Sequence, residues 1–144
     1  MLLNIRITNL QKKHLSEVYD LLKSNVSKFR PNKNQYNLIW KKLSKQKNNY
    51  FIVAKNNKDL LGFGSLSIIL KVRGSKQGVI EDIVVKKKFR KNKIGRSIVL
   101  KLLEIAKKQK CYKVILQSPK KNLTFYKKIG FITIHKSMHK LLKF

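Results

Sequence analysis

The chain is 144 residues long, which is enough for one compact domain and leaves little room for a second. Hydrophobic residues make up 42% of it, which excludes a largely disordered chain, and the single cysteine, Cys111, excludes an internal disulfide. The 35 Lys and Arg residues against 6 Asp and Glu residues give a net charge of +29, which favours an anionic substrate or partner.

Two interpretations of this charge stay open. A nucleic-acid-binding surface would explain it, but only five of the 35 basic residues are Arg, the side chain that reads bases by bidentate contacts. The lysines are also spread along the whole chain rather than gathered in one segment. A composition biased towards Lys, Asn and Ile is therefore the favoured explanation, although the positive field would still speed the encounter with an anionic substrate.

The sequence contains no apolar run of membrane-spanning length, and its longest candidate, Leu60–Leu70, has the length of a strand. Met1–Arg6 lacks the basic lead and apolar stretch of a signal peptide. We therefore expect a cytoplasmic protein that does not bind membranes.

The first half of the chain reads as short strands and helices in alternation. Hydrophobic spacing and turn residues predict a strand, two helices and then an antiparallel hairpin. In chain order these are Leu3–Thr8, Gln11–Ser24, a helix opened by Pro31 that includes Leu43, Tyr50–Ala54 and Leu60–Leu70.

The second half continues with a strand, a helix, a strand, a helix and two final strands. Ser118 is predicted to cap the last helix, with Pro119 in its first turn and Gly130 as its left-handed stop. These elements are Gly78–Lys86, Ile94–Gln109, Tyr112–Leu116, the helix ending at Gly130, Phe131–Ile134 and Ser137–Leu142. The order predicts an α/β protein with a mixed sheet.

Two adjacent acids mark the most apolar strand. Glu81 and Asp82 lie inside it, whereas the other four acids of the chain fall in predicted helices or a turn. Since neighbouring strand residues point to opposite faces, at least one of the two is expected on a buried face, where a carboxylate is costly unless it is paired. A structural ion pair with a nearby Lys is one explanation, and a functional site is the favoured one.

A basic loop, Phe89–Ser97, follows this strand and leads into a helix. The free amides of a helix N-terminus, with cations beside them, are suited to bind a pyrophosphate, and Gly95 would let the backbone approach it closely. On its own this pattern is of moderate specificity, because basic turns before helices are common.

The remaining chemistry-bearing residues favour structural roles. Phe125 and Phe131 are expected in the core, and composition alone makes Tyr126 a core residue whose hydroxyl is hydrogen-bonded. Cys111 has no base nearby and reads as an inert buried thiol. His14, His135 and His139 are too scattered for a metal site, so each is expected on the surface or in a strand and no metal is expected.

Four segments of the second half, Gly78–Val85, Arg90–Arg96, Lys110–Leu116 and Lys121–Phe131, together resemble the GNAT superfamily of N-acetyltransferases. Within it the chain is most similar to enzymes that acetylate the amine of glucosamine 6-phosphate. The resemblance implies one GNAT domain over residues 1–144, with a mixed, mostly antiparallel sheet flanked by helices. It also implies a homodimer in which the two final strands pair across a two-fold axis.

The resemblance further implies roles for individual residues. The co-substrate acetyl-CoA would pair its pantetheine arm with the backbone of Ile83, Val84 and Val85. The backbone amides of the basic loop would hold its pyrophosphate, and these belong to Lys91, Asn92, Lys93, Ile94, Gly95 and Arg96. Asn122 and Tyr126 would lie along the co-substrate, while Glu81 and Asp82 would hold the amino sugar.

The resemblance has three departures. Lys93 stands where relatives usually have Gly, Gln117 stands where they carry an acid thought to orient the amine, and Leu141 stands where a basic residue is expected. Gln117 can accept a hydrogen bond but supplies no charge. Lys140 or Lys143 are the candidates to replace the missing basic residue.

The expected mechanism is direct attack of the amine in a ternary complex, with no acyl-enzyme. Glu81, a backbone carbonyl or a water would take the proton, an amide near Val84 would stabilise the oxyanion, and Tyr126 would protonate the thiolate. On charge alone, Lys71 and Arg73 are the candidates to bind the sugar phosphate.

Two competing functions follow from the same residues. The domain could acetylate another amine, such as a protein N-terminus, a lysine or a polyamine, although a +29 enzyme would repel basic acceptors. It could also be a non-catalytic module associated with nucleic acid, which the basic loop and Tyr126 argue against.

Overall fold

The computed structural model describes residues 4–143 and builds one five-stranded sheet with helices on both faces. The strands are β1 (Arg6–Asn9), β2 (Asn49–Lys55), β3 (Leu60–Leu70), β4 (Lys76–Val85) and β5 (Cys111–Leu116). The helices are α1 (Leu15–Asn25), α2 (Tyr36–Leu43), α3 (Ile94–Lys108) and α4 (Leu123–Lys127).

The strands lie in chain order across the sheet. Neighbours from β1 to β4 are antiparallel, and β5 joins β4 in parallel. A parallel neighbour requires a crossover, which α3 supplies. The predicted α/β class with a mixed, mostly antiparallel sheet is therefore confirmed.

The hydrophobic core has two parts, one on each face of the sheet. On one face α3 packs through Ile98, Val99 and Leu102, which are fully buried. On the other face α1 and α2 cover Val53, Phe63 and other residues of the central strands. Because both faces of β3 are covered, its sequence is almost continuously apolar rather than alternating.

Several predicted elements need correction at their ends. The predicted first strand began at Leu3, which lies outside the described residues, and the strand that the structure shows starts at Arg6. Pro119 is the cap residue before the turn that leads into α4, whereas Ser118 donates only to the Pro119 carbonyl. Gly130 has φ 105°, so the left-handed stop is confirmed.

The two predicted C-terminal strands are wrong for the single chain. Residues 131–143 form no strand, and five apolar side chains in this segment are exposed: Ile132, Ile134, Met138, Leu141 and Leu142. A strand forms only against a second backbone that satisfies its hydrogen bonds, and the described part of this chain provides none for this segment.

His14 was expected on the surface or in a strand, and this is wrong as well. It is buried in a 3-10 turn before α1, where the Gln11 N–H donates to its Nδ1 at 3.0 Å. Burial, together with the charges of Lys55 and Lys13, lowers the pKa of His14. A neutral imidazole at this position accepts the hydrogen bond that holds the turn.

Candidate functional site

β4 and β5 separate halfway along their length. Their last paired residues are Ile80 and Leu116, whereas β4 continues against β3 as far as Val85. Asp82 has φ 55°, a left-handed conformation that produces a bulge and turns β4 away from β5. Within the described chain, the β5-facing edge of β4 therefore has no strand partner from Glu81 to Val85.

The two acids lie at this opening, and neither is buried, so the predicted buried carboxylate is wrong. Both side chains are exposed because no strand or helix covers the bulge. Surrounding atoms nevertheless partly desolvate the Asp82 carboxyl and raise its pKa. The Ser65 hydroxyl donates to the Glu81 carbonyl at 3.1 Å, which fixes the backbone beside the bulge.

Gln117 is also at the opening. It follows Leu116 directly and is exposed, one residue beyond the last pair of β4 and β5. The structure therefore places the middle of β4, which carries Glu81 and Asp82, beside Gln117 at the end of β5. Two carboxylates and an amide at the opening between β4 and β5 can hold and orient a polar acceptor by hydrogen bonds.

The loop after β4, residues 90–96 and called here the phosphate loop, ends at the N-terminus of α3. Lys91 and Lys93 adopt left-handed φ values of 67° and 60°, which turn the backbone sharply into the helix. The first hydrogen bond of the helix runs from the Ser97 N–H to the Lys93 carbonyl, so the amides before it point out of the helix end. Cations and free amides at one place form an anion site.

Two residues of the phosphate loop have local roles. The side-chain amide of Asn92 donates to the carbonyls of Phe89 and Arg90, at 3.1 and 3.3 Å, so it holds the loop. A Cβ on Gly95 would touch Phe125 and Val85 at 3.4 and 3.5 Å, so the first turn of α3 lies against both β4 and α4.

Tyr126 is half-buried on α4, next to Phe125, which lies against Gly95 in the first turn of α3. Its ring makes edge contacts with Phe125 and Phe131, with centroids 4.9 and 5.8 Å apart, and packs against the core. Burial raises the pKa of its phenol. Phe131 packs against the core as expected, whereas Phe125 is 37% exposed and belongs to neither core cluster, so its predicted core position is wrong.

The comparison with protein families decides the class of this fold. The model of the acetyltransferase (GNAT) family matches residues 15–131, which is most of the chain. The chain belongs to the GNAT family of acetyltransferases. The match covers β4, the phosphate loop and Tyr126, so the open strand edge and the helix end lie within the GNAT core.

Individual relatives agree with this result. The chain is 40% identical over 72 residues to a glucosamine 6-phosphate N-acetyltransferase of Trypanosoma brucei brucei, covering 47% of this chain and 49% of the relative. It is 35% identical over 105 residues to glucosamine 6-phosphate N-acetyltransferase 1 of Dictyostelium discoideum, covering 69% and 66%. The aligned part thus spans about half to two thirds of the length of these curated relatives.

The fold extends over nearly all of the chain. It superposes on the crystal structure of glucosamine-6-phosphate N-acetyltransferase from Arabidopsis thaliana with a TM-score of 0.88 and 25% identity, covering 97% of this chain and 99% of that one. No helix in residues 4–143 is both long and apolar enough to span a membrane.

Arg90, the first residue of the phosphate loop, connects this GNAT site to α1. Its guanidinium donates to the Val85 carbonyl at 3.3 Å and to the Asn25 side chain at 2.5 Å. Arg90 also lines a cavity of about 620 Å³ between α1 and the loop after β4. Sequence reasoning gave Arg90 no role of its own, and no pattern in α1 signalled Asn25.

Lys71 and Arg73, the predicted phosphate ligands, lie in the turn between β3 and β4, at the far end of β4 from Glu81. The turn is closed by two backbone hydrogen bonds, from the Lys71 N–H to the Ser75 carbonyl and from the Gly74 N–H to the Lys71 carbonyl, both at 2.8 Å. The Arg73 guanidinium reaches the start of β5 and donates to the Tyr112 hydroxyl at 3.3 Å. The structure therefore places Arg73, but not Lys71, in contact with a strand of the site.

Proposed function

We propose that this GNAT domain transfers the acetyl group of acetyl-CoA to the amine of glucosamine 6-phosphate. The observation that carries the proposal is the free edge of β4 that leads directly into the phosphate loop. An extended amide-containing chain can pair with such an edge, and a pyrophosphate can bind at the helix end beyond it. The choice of acceptor rests on the names of the curated relatives from two organisms.

Acetyl-CoA fits the residues that are present. Its pantetheine arm would pair with the backbone of Ile83, Val84 and Val85, as an added strand does. The amides of Lys91, Asn92, Lys93, Ile94, Gly95 and Arg96 would face its pyrophosphate. Asn122 and Tyr126, on the turn before α4 and on α4 itself, would flank the thioester end.

The acceptor amine would occupy the opening beside the bulge. Its nitrogen attacks the thioester carbonyl carbon and forms a C–N bond while the C–S bond breaks, and the amine loses one proton. The Val84 amide would stabilise the oxyanion, and Glu81, a backbone carbonyl or a water would take the proton. Asp82 and Gln117 would orient the acceptor by hydrogen bonds.

Tyr126 is the proposed acid for the departing thiolate. A phenol whose pKa is raised stays protonated at neutral pH and has a proton to donate. Cys111 is half-buried, and desolvation raises the pKa of its thiol, so it is a poor nucleophile. Both observations favour direct transfer over an acyl-enzyme.

We also propose that two copies associate through their C-terminal segments. Residues 131–143 expose apolar side chains and lack a strand partner within residues 4–143 of their own chain. Pairing with a second copy would bury these side chains and satisfy the backbone. The dimer thus explains why a strand-like sequence forms no strand in the single chain.

The proposed reaction is tested by following free thiol from acetyl-CoA with a panel of amines. Glucosamine 6-phosphate should release thiol, and the sugar product should carry one acetyl group by mass spectrometry. The matched control is glucosamine 1-phosphate, which has the same charge and amine but a displaced phosphate, and it should react more slowly.

Other outcomes would assign the domain differently. Release of thiol with a peptide N-terminus, a lysine or a polyamine, but not with the sugar, would retain the acetyltransferase and refute the acceptor. No acetyl-CoA binding by calorimetry, with nucleic acid bound at low salt and lost at high salt, would refute catalysis.

A further inference from the structure

The last turn of α1 is joined to the phosphate loop by one side-chain contact. Arg90 opens the loop, and its Nη2 donates to Oδ1 of Asn25, the last residue of α1, at 2.5 Å. Its Nε donates to the Val85 carbonyl at 3.3 Å. One guanidinium therefore connects a helix, the end of β4 and the loop, across 65 residues of sequence.

Asn25 is oriented for this contact by its own helix. Its Nδ2 donates to the carbonyl of Leu21, one turn earlier, at 2.8 Å, which leaves Oδ1 to accept from Arg90. Leu21 is buried between α1 and the sheet, so this anchor belongs to the packed core rather than to the loop. The negative end of the α1 dipole lies at the same place and favours a cation there.

The Val85 carbonyl belongs to the free edge of β4. Val85 lies opposite Gly62, and the Lys86 N–H donates to the Leu61 carbonyl at 2.7 Å. Because the bonded positions of an antiparallel pair alternate, the Val85 N–H and carbonyl point away from β3. Arg90 uses one of the two lone pairs of this carbonyl and so fixes the loop to the end of the edge.

The phosphate loop needs such a support. Lys91 and Lys93 hold φ values of 67° and 60°, a region that residues with a Cβ disfavour and that persists where the surroundings determine it. The loop also carries Arg90 and Arg96 beside these lysines, and the four like charges repel. Within residues 4–143, the side-chain hydrogen bonds of the loop come from Asn92, which holds it from inside, and from Arg90, which holds it from outside.

The positive charge of Arg90 is not neutralised by these contacts. Its partners are a neutral amide and a neutral carbonyl, and the ion pairs of the described chain do not include it. The carboxylates that line the same cavity are Glu17 and Asp20, and Asp20 is paired with Arg30 instead. A guanidinium held by neutral acceptors keeps its full charge beside the loop, where an anion would bind.

We propose that Asn25 is a positioning residue for the co-substrate. By holding Arg90, it keeps the phosphate loop in the conformation that receives the pyrophosphate before acetyl-CoA arrives, so less conformational freedom is lost on binding. The inference rests on the proposed function and deepens it, since it assigns a residue of α1, which itself touches neither substrate, to the binding of the acetyl donor.

The test compares two acetyl donors, acetyl-CoA and S-acetylpantetheine, which lacks the pyrophosphate and the nucleotide. In Asn25→Ala, KM for acetyl-CoA should rise about 3- to 10-fold, the scale of one hydrogen bond at an exposed site. KM for S-acetylpantetheine should stay within about twofold of the wild type, because β3 still holds the edge that its arm would pair with. The value of kcat with acetyl-CoA should also stay within about twofold, since the reacting groups are unchanged.

Ser24→Ala is the matched control. Ser24 precedes Asn25, lines the same cavity and donates its hydroxyl to the Asp20 carbonyl at 3.0 Å, so its loss should leave both KM values unchanged. Equal rises for both donors in Asn25→Ala, no rise for acetyl-CoA, or the same rise in Ser24→Ala would refute the positioning role.

A double-variant cycle tests whether Asn25 acts through Arg90. Once Arg90→Met has removed the guanidinium, Asn25→Ala should raise KM for acetyl-CoA by less than about twofold more. Effects that multiply in the double variant would show that Asn25 acts by another route and would overturn the inference.

A measurement on the ligand-free protein separates this inference from the proposed reaction. If calorimetry detects no binding of CoA to the wild type, the proposed function is wrong, and the contact is then tested by ¹⁵N relaxation of the arginine Nε–H groups. The chain has five Arg residues, and the Arg90 signal is the one lost in Arg90→Met. Its order parameter should fall in Asn25→Ala and stay unchanged in Ser24→Ala. An equal order parameter in Asn25→Ala and in the wild type would refute the role of Asn25.

Discussion

At the scale of single residues, Tyr126 offers the sharpest test of the chemistry. If its phenol protonates the thiolate, Tyr126→Phe should lower kcat about 10²- to 10⁴-fold with little change in KM for acetyl-CoA. The ring contacts with Phe125 and Phe131 need no hydroxyl, so the variant should fold normally. Steady-state kinetics and a thermal melt measure the two effects separately.

The pH dependence of kcat is a second test of the role of Tyr126. Because burial raises the pKa of the Tyr126 phenol, the phenol keeps its proton at neutral and mildly alkaline pH, and the rate should not fall there on its account. Tyr19→Phe is the control, since burial also raises the pKa of that phenol and Tyr19 lies on α1. An unchanged kcat in Tyr126→Phe would exclude the acid role.

Most residues of the candidate site could be predicted from the sequence, because residues in a strand and in the loop that follows it stay close together in the fold. Glu81, Asp82 and the phosphate loop were located in this way. Their exposure could not be predicted, since it depends on the left-handed Asp82 and on where β5 separates from β4. The contact between Arg73 and Tyr112 was missed because the register shift between β4 and β5, at Lys76 and Gln77, changes which side chains meet.

At the scale of elements, the close contact between β3 and α3 depends on glycine. A Cβ on Gly64 would lie 2.6 Å from Ile98 and 2.7 Å from Ile83, closer than side chains pack. Gly64→Ala should therefore lower the free energy of unfolding by about 1–3 kcal/mol, as overpacking does. Chemical denaturation, with the transition followed by circular dichroism, measures the change.

The second-site variant Ile98→Ala provides the control for this steric argument. It removes the Cγ2 atom that the new methyl would meet and leaves a cavity that the methyl can partly fill. The double variant should therefore be more stable than the sum of the two single losses predicts. Additive losses would show that Gly64→Ala acts through something other than this contact.

The elements inside the sheet could be predicted from the sequence, whereas the structure of the C-terminal segment, residues 131–143, could not. β3 and α3 carry their own signals, an apolar run with turn residues and a helical period, and both were found close to their true bounds. Phe131–Ile134 and Ser137–Leu142 are also rich in apolar residues, but they have no partner strand in the described part of the chain. Propensity selects an extended conformation, whereas hydrogen bonding to a neighbour decides whether it becomes a strand.

At the scale of the whole molecule, the net charge opposes the association of two copies and the exposed apolar surface favours it. Two copies that each carry +29 repel, and salt screens that repulsion. Burial of the exposed C-terminal side chains favours association and does not need low salt. A dimer held in this way should tighten as ionic strength rises, whereas one held by ion pairs would weaken.

Sedimentation equilibrium tests the dimer directly. The wild type should behave as a species of about twice the chain mass of 16.9 kDa, with a dissociation constant that falls as salt is added. Met138→Gln with Leu141→Gln should give the monomer, because both side chains are almost fully exposed in the single chain and would be buried only by a partner. Phe29→Gln, at an exposed apolar residue before α2, is the matched control and should remain dimeric. A wild type that sediments as a monomer at every salt concentration would mean that residues 131–143 stay unpaired in solution.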